Sequence, residues 1–343
     1  MNNIIEKSNK ISDAIEFLNT SELKTLIVLN KKKFIGTITD GDIRRGLLKK
    51  IDINSSLLKI ANKKPFTTFR KILDKKTEIK MQNKEIYCLP IISKNNEYIG
   101  YHKIDKKSFD TVNDDTIIII MAGGKGKRLA PLTNKIPKPM IKIKGKPMIE
   151  HIIEKIIKDN FKKIIVTTHY KGQIIESYLK KKKYSSKIKF LREEKPLGTI
   201  GSLSVMDLRK YKNCIVTNAD ILSNFQFSDI LRYHKLNDAD FTITTYLKKV
   251  VSEYGNLKLK GKMIQDIKEK PSHIQNISIG IYAFKTAIIN NLMKNQYCDV
   301  PTLINKLIQK KKRVVSFPLH ENWIDIGNIQ KLKLAKKKFN LKF

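Results

Sequence analysis

Four consecutive isoleucines, Ile117 to Ile120, run directly into a loop that holds Gly123, Gly124 and Gly126. No other feature limits the possible architectures as much. An unbroken apolar run suits a strand buried on both faces of a parallel sheet, whereas a strand with one wet face alternates. Glycines at the end of such a strand have no Cβ, so their backbone can approach an anion closely. Arg128 and Lys138 follow within the next stretch of chain, and the whole reads as a strand that empties into a phosphate-holding loop. Two commoner loops of this kind do not fit. The Walker pattern ends in Gly-Lys-Ser/Thr, and the dinucleotide fingerprint needs a third glycine that lets helix pack on strand.

Downstream, helix and strand patterns alternate. Met148, Ile149, Ile152, Ile153, Ile156 and Ile157 fall on one helical face and predict a helix over 147–159. Lys163 to Thr168 reads as a strand, Gly172 to Lys180 as a helix and Ile188 to Arg192 as a strand. Such alternation predicts an α/β domain with a mostly parallel sheet and helices on both faces, whose ligands bind beyond the carboxyl ends of the strands. The strand Cys214 to Ala219 ends in Asp220. Core packing does not explain a carboxylate there, although capping of a following helix would.

The formal net charge of +37 raises the question of nucleic acid or an anionic membrane surface. The lysines are spread along the chain, however, in runs such as Lys31 to Lys33, Lys180 to Lys183 and Lys310 to Lys312, and no aromatic-interleaved basic motif accompanies them. Neither nucleic acid nor a membrane is therefore an expected partner. Met1 to Lys10 is polar, and no apolar run reaches the roughly 18 residues of a membrane helix, so a cytoplasmic protein is expected. Cys88, Cys214 and Cys298 form no CxxC pair and are expected to be reduced, buried thiols.

The residues from Gly123 to Met140, with Arg128-Leu129-Ala130-Pro131-Leu132-Thr133 and Pro137-Lys138-Pro139-Met140, resemble the sugar nucleotidyltransferase signature GGxGTRLxPLT followed by PKPM. The resemblance runs from about Thr116 to the C-terminus. It implies a Rossmann-like nucleotidyltransferase domain over 116–343, with nucleotide held by Ala122, Gly123, Gly124, Gly126, Arg128 and Gly198. Gly198 lies in Pro196-Leu197-Gly198-Thr199-Ile200-Gly201, similar to the family's PLGTAG segment. Asp220 and Asp325, the latter in Trp323-Ile324-Asp325-Ile326-Gly327-Asn328, match the pair that holds the catalytic magnesium, and two distant carboxylates suit Mg2+ beside phosphate oxygens. Glu269 and Lys270 match the sugar-pocket EKP motif, and Gly280 matches its NAGIY motif. Three positions depart from the pattern. Lys127 replaces threonine, Ile200 replaces alanine and Ser278 replaces asparagine, which leaves Lys127 without an assigned role and the sugar contact of Ser278 open. His169, just past a predicted strand, stands where guanylyltransferase relatives place a histidine, and a supporting hydrogen bond is its other reading.

An internal repeat marks the N-terminal part. Leu26 to Leu29 with Phe34 to Gly36 recur as Leu89 to Ile92 with Tyr98 to Gly100, at an offset of about 64 residues. Helix-spaced residues precede each copy, at Ile11 to Asn19 and Phe69 to Gln82. The pair resembles a tandem CBS module over 1–112, a smaller α+β domain with repeats at about 1–60 and 61–110. That resemblance implies an adenine nucleotide effector bound through Thr37, Thr39 and Asp40. The second copy lacks the equivalent threonine and aspartate. The plainer reading has Asp40 capping a helix that starts near Asp42, in a module that serves only to form a homo-oligomer.

The implied chemistry is in-line attack by a sugar 1-phosphate on the α-phosphorus of a nucleoside triphosphate, with Mg2+ as cofactor. Arg128, Lys138, Asp220 and Asp325 are its expected catalytic residues. Catalysis of this kind is chiefly charge neutralisation and positioning. The CBS pair ahead of this domain, with Leu197-Gly198-Thr199-Ile200-Gly201-Ser202-Leu203 and Thr168-His169-Tyr170, resembles the guanylyltransferases of legionaminic acid synthesis, which implies GTP and a glucosamine 1-phosphate, free or N-acetylated. Mannose- or heptose-1-phosphate guanylyltransfer, uridylyl or thymidylyl transfer, and a catalytically silent nucleotide-sugar-binding regulator are the alternatives.

Overall fold

The computed structural model describes residues 3–21, 23–104 and 113–338. The chain divides into two compact units, Met1–Thr111 and Val112–Phe343. In the first unit β1 (Ile4–Glu6), α1 (Ile11–Thr20), β2 (Thr25–Asn30), β3 (Lys33–Thr39) and α2 (Asp40–Leu48) are followed by α3 (Lys75–Asn83), β4 (Cys88–Ile92) and β5 (Tyr98–Lys103). Strand β1 lies parallel to β2, while β2–β3 and β4–β5 are antiparallel hairpins.

The repeat shows in the register of these hairpins. Val28 faces Gly36, Ile91 faces Gly100, and each hairpin carries its irregularity at the very next pair. The first strands are therefore 63 residues apart and the second strands 64, because the second turn holds one residue more. The turns are tied by backbone hydrogen bonds, from the Phe34 amide to the Asn96 carbonyl and from the Tyr98 amide to the Lys32 carbonyl, both 2.9 Å.

Two local expectations are corrected. The helix foreseen over 69–82 begins only at Lys75, where Asp74 accepts from the Thr77 amide at 2.8 Å. Phe69 and Ile72 are 65% and 83% exposed, so their spacing marks no buried face. Helix α2 starts at Asp40 itself, and its cap is Thr39, which forms a reciprocal capping box with Asp42. Thr39 wins because its backbone is extended (φ −113, ψ 169), as a cap requires, whereas Asp40 is already helical. Residues 105–112, with the expected end of the first domain at 112, lie outside the described residues.

The second unit opens with β6 (Thr116–Met121), α4 (Leu132–Lys135), β7 (Lys142–Ile143), β8 (Lys146–Pro147), α5 (Met148–Lys158), β9 (Ile164–Thr168), α6 (Gly172–Lys180) and β10 (Ile188–Arg192). There follow α7 (Gly198–Gly201), β11 (Asn213–Asn218), β12 (Ile221–Ser223), α8 (Phe227–Leu236), β13 (Phe241–Val251), β14 (Asn256–Lys260), β15 (Met263–Lys268) and β16 (Ser272–Lys285). The last elements are α9 (Val300–Gln309), β17 (Val314–Pro318), β18 (Trp323–Asp325) and α10 (Ile329–Lys338). The central sheet has the order β10-β9-β6-β11-β16-β13-β17. It is mixed α/β and mostly parallel. Only β16 opposes its neighbours β11 and β13.

The isoleucine strand is buried on both sides. Ile118 and Ile120 pack into one core with α5 residues such as Ile149 and Ile153. Ile117 and Ile119 pack into a second core with Leu203, Phe241 and Leu303. Each such burial contributes about 1.5–3 kcal/mol relative to exposure, so β6 is anchored strongly and its loop leaves from a fixed point. Among the described residues no helix is long and apolar enough to cross a membrane.

Candidate active site

The carboxyl ends of four neighbouring parallel strands open onto a cleft of about 430 Å³. Met121 ends β6 and Asn218 ends β11, while His169 and Glu193 stand just beyond β9 and β10, and all four line the cleft. This is where an open α/β sheet presents its ligands.

The glycine loop forms one wall. Gly126 has φ +64, and a Cβ there would stand 3.0 Å from both Lys138 Cβ and Thr133 Cγ2. Its missing side chain thus lets the lysine of Pro137-Lys138-Pro139 come close to the loop. Thr133 Oγ1 donates to the Gly126 carbonyl at 3.1 Å and fixes the approach. After Gly126 a single 3-10 turn buries Leu129 and leaves Lys127 and Arg128 exposed in the cleft wall. Ala122 contributes its place rather than an amide. Its N–H is committed to the Thr167 carbonyl at 3.0 Å and its side chain is buried.

Asp220 lines the cleft, Asp325 lies in the segment that brings Gly327 to it, and a small ladder unites the two. Ile221 faces Asp325 in the β12–β18 pair, and the Ile326 amide donates to the Asp220 carbonyl at 3.0 Å. Each carboxylate meets a lysine. Lys138 Nζ pairs with Asp220 Oδ2, and Lys331 Nζ lies 3.2 Å from Asp325 Oδ2. A methyl group on Gly327 would sit 3.3 and 3.4 Å from the Asp325 oxygens and 3.5 Å from Arg128 Nη2, so glycine leaves the gap between carboxylate and guanidinium clear. The donor set suits a divalent cation of the magnesium type. Asp220 lines the cleft and Asp325 stands on the paired strand just behind Gly327, each already beside a cationic group, and a few carboxylates completed by phosphate oxygens and water are what such an ion prefers.

The far end of the cleft is less charged. Gly198 has φ +80, and a Cβ on it would lie 2.6 Å from the Cys298 carbonyl oxygen and 3.1 Å from Tyr297 Cε2. The chain at 296–298 is held there by bonds from the Cys298 amide to the Leu197 carbonyl (2.9 Å) and from the Ile200 and Gly201 amides to the Cys298 carbonyl (3.2 and 3.1 Å). Glu193 Oε2 accepts from the Leu197 amide at 3.5 Å. Burial raises the Glu193 carboxyl above its ordinary range. His169 lines the cleft, and its Nδ1 is 2.9 Å from the Glu193 carbonyl oxygen. Glu193, Asn218, Thr199 and Tyr297 line the cleft without having been singled out in the sequence. Glu193 and Asn218 could have been found there, since each stands at or next to the tip of a predicted strand.

Not every expected residue is gathered. Glu269 and Lys270 are exposed beyond the β14–β15 ribbon, whose residues are all exposed, and they do not line the cleft as it stands. The ribbon extends past the central sheet on the long β13–β16 pair, which continues to Val251 and Ser272. Gly280 is closer, because its φ of +84 and missing Cβ accommodate the Asn218 amide, 2.6 Å from the Cβ position. Ser278 Oγ lies 3.3 Å from the Tyr282 hydroxyl. All three cysteines are free, but Cys298 is only partly buried, because the stretch that carries it rides over α7 at the surface. In the first unit Thr37 is buried, Thr39 is the helix cap, and Asp40 is held by Arg44 through bonds of 2.7 and 2.8 Å.

The family model for nucleotidyl transferases matches residues 117–340. The chain belongs to the nucleotidyl transferase family. Among its curated relatives, the mannose-1-phosphate guanyltransferase of Gibberella zeae is 30% identical over 223 residues, which is 61% of this chain and 60% of that protein. The enzyme of the same name from Yarrowia lipolytica is 31% identical over 222 residues, with the same coverage. The chain thus spans about 60% of the length of these curated relatives. Among solved structures, HddC from Yersinia pseudotuberculosis complexed with GMP-PN is 26% identical with a TM-score of 0.51, covering 65% of this chain and 99% of that one. The nucleotidyl transferase match begins at Ile117, the first residue of the isoleucine run.

Proposed function

We propose that this chain is a sugar-1-phosphate guanylyltransferase that transfers GMP from GTP to an aldose 1-phosphate and releases pyrophosphate. The observation that carries the reading is the union of Arg128, Lys138, Asp220 and the Asp325 segment around one cleft, at the ends of the parallel strands. A triphosphate placed against the glycine loop meets Arg128 at its leaving β- and γ-phosphates and Lys138 at its α-phosphate. Lys138 also steadies the attacking sugar phosphate, so two polyanions share one cation. Asp220 and Asp325 would hold Mg2+, which when bound supplies charge neutralisation of the phosphates. Because no covalent intermediate is needed, alignment of the two phosphates is the main work of the wall residues.

Guanine as the base is supported by Glu193. A guanine edge offers adjacent N1–H and N2–H donors, and a half-buried carboxylate near Gly198 is their natural acceptor. The relatives named as guanyltransferases support the same base. For the sugar, the fusion to a repeat-bearing first unit favours a glucosamine 1-phosphate, free or N-acetylated, whereas the relatives' names favour mannose 1-phosphate. Glu269 and Lys270 would reach the sugar when the ribbon folds over the cleft. The paired hairpins of the first unit support a tandem CBS module that binds an adenine nucleotide through Thr37, Thr39 and Asp40. The Asp40–Arg44 pair would have to open for Asp40 to take part.

The test is pyrophosphate release with four nucleoside triphosphates crossed with glucosamine, N-acetylglucosamine, mannose and heptose 1-phosphates, with and without adenine nucleotides. GTP with one of these sugars is expected to turn over. Lys138→Ala and Asp220→Asn should stay folded and lose at least about a hundredfold in kcat/KM. Retained turnover in either would overturn the mechanism, and a silent wild type that still binds the nucleotide sugar would favour a regulatory protein.

A further inference from the structure

Lys331 gains nothing from its own helix and instead meets a carboxylate of the candidate site. It sits three residues after Asn328, whose side-chain oxygen accepts from the Lys331 amide at 2.9 Å, and therefore in the first turn of α10. The first turn favours acids, because the unpaired amides there carry partial positive charge. A lysine at this position opposes that preference. Its Nζ instead reaches Asp325 Oδ2 at 3.2 Å, with the lysine 45% and the aspartate 34% exposed. Lys138 has the same relation to Asp220. The two carboxylates read as the metal pair are therefore both occupied by ammonium groups in the free protein.

We propose that Lys331 is a positioning residue, the internal counter-ion of Asp325. It holds the carboxylate in the metal-free protein, competes with divalent metal for it, and yields when a triphosphate offers the ammonium group a new anionic partner. The site then accepts metal and triphosphate together rather than metal alone. Charge balance supports this order. Arg128, Lys138 and Lys331 surround two carboxylates, and a bare dication would enter a site that already carries an excess positive charge, whereas a metal–triphosphate complex is anionic. The proposal rests on the assignment of Asp220 and Asp325 as metal ligands.

The probe is Mn2+, with free ion counted by electron paramagnetic resonance and no nucleotide present. Lys331→Met keeps the length of the side chain and removes its charge, so it should bind Mn2+ about tenfold more tightly than wild type. Lys331→Arg should behave as wild type. A non-hydrolysable guanosine triphosphate analogue should tighten Mn2+ binding in wild type more than in Lys331→Met. Equal Mn2+ affinity in wild type and Lys331→Met without nucleotide would overturn the proposal. Adding Asp325→Asn to Lys331→Met should abolish the gain, and tight binding that survives would overturn it by placing the metal elsewhere. Turnover is measured separately, so failure of the guanylyltransferase reading and failure of the counter-ion show as different results.

Discussion

Substituting Gly198 by alanine tests whether the base end of the cleft is built as described. The added methyl group would meet a backbone carbonyl, that of Cys298, at 2.6 Å, with the carbonyl carbon at 3.0 Å. Neither atom is the end of a flexible side chain. That same carbonyl accepts from the Ile200 and Gly201 amides, so pushing it away weakens two bonds at once. A left-handed conformation costs a non-glycine residue about 1–2 kcal/mol, and forced overpacking about 1–3 kcal/mol. The expected loss is thus about 2–5 kcal/mol. For a domain of this size each kcal/mol lowers Tm by about 2–4 °C. Gly124→Ala is the control, since nothing lies within 4 Å of its Cβ position and its φ is not positive. Calorimetry should show a clear fall for Gly198→Ala and little change for Gly124→Ala. Displacement of Tyr297 and Cys298 should also raise the KM for the triphosphate in Gly198→Ala. If the two variants melt together, the close contact inferred between Gly198 and the Cys298 carbonyl is wrong.

Replacing Glu193 by glutamine keeps the shape but turns one acceptor oxygen into a donor, so GTP should lose roughly 5- to 100-fold in kcat/KM while UTP changes little. An equal effect on both nucleotides would remove Glu193 from base selection. His234 is buried, with Nδ1 2.8 Å from Thr242 Oγ1, and burial pushes its pKa down to about 4. The unfolded chain takes up this proton first, near the usual histidine value of about 6.5. Stability is therefore unaffected above that value and falls as pH drops toward 4, by about 2 kcal/mol between pH 7 and 5. Urea unfolding of His234→Gln should show a smaller acid loss over that window than wild type, and an equal loss would refute the assignment.

Much of the site was legible in the sequence because it is made of strand ends. A run such as Ile117 to Ile120 suits burial on both faces, and the residues at or just past the carboxyl tip of such a strand emerge at that end of the sheet, as Met121, Asn218 and Asp220 do. The motifs between Gly123 and Met140 likewise have a local meaning, since Gly126 and Lys138 meet across a short loop. The first unit's repeat was readable for a similar reason, because its hairpins keep the same facing pairs and the same irregularity. Where local patterns misled, a competing local force was responsible. Thr39 outcompeted Asp40 as a cap, and Phe69 and Ile72 had helical spacing with no face to bury.

By itself, the sequence determined an α/β domain with a buried parallel strand and a glycine loop after it, because hydrophobic period and loop composition act over a few residues. Arg128, Lys138, Asp220 and Asp325 were singled out by their motifs' resemblance to the sugar nucleotidyltransferases, not by period or composition. Tertiary structure alone decided that β16 runs against its neighbours, which carries the ribbon with Glu269 and Lys270 out of the cleft. It also decided that Asp325 comes beside Asp220 through the β12–β18 ladder, and that Lys331 arrives with it. No local rule relates residues so far apart in the chain. Their distances are set by the pairing of whole strands, and so is the electrostatics of the site they form.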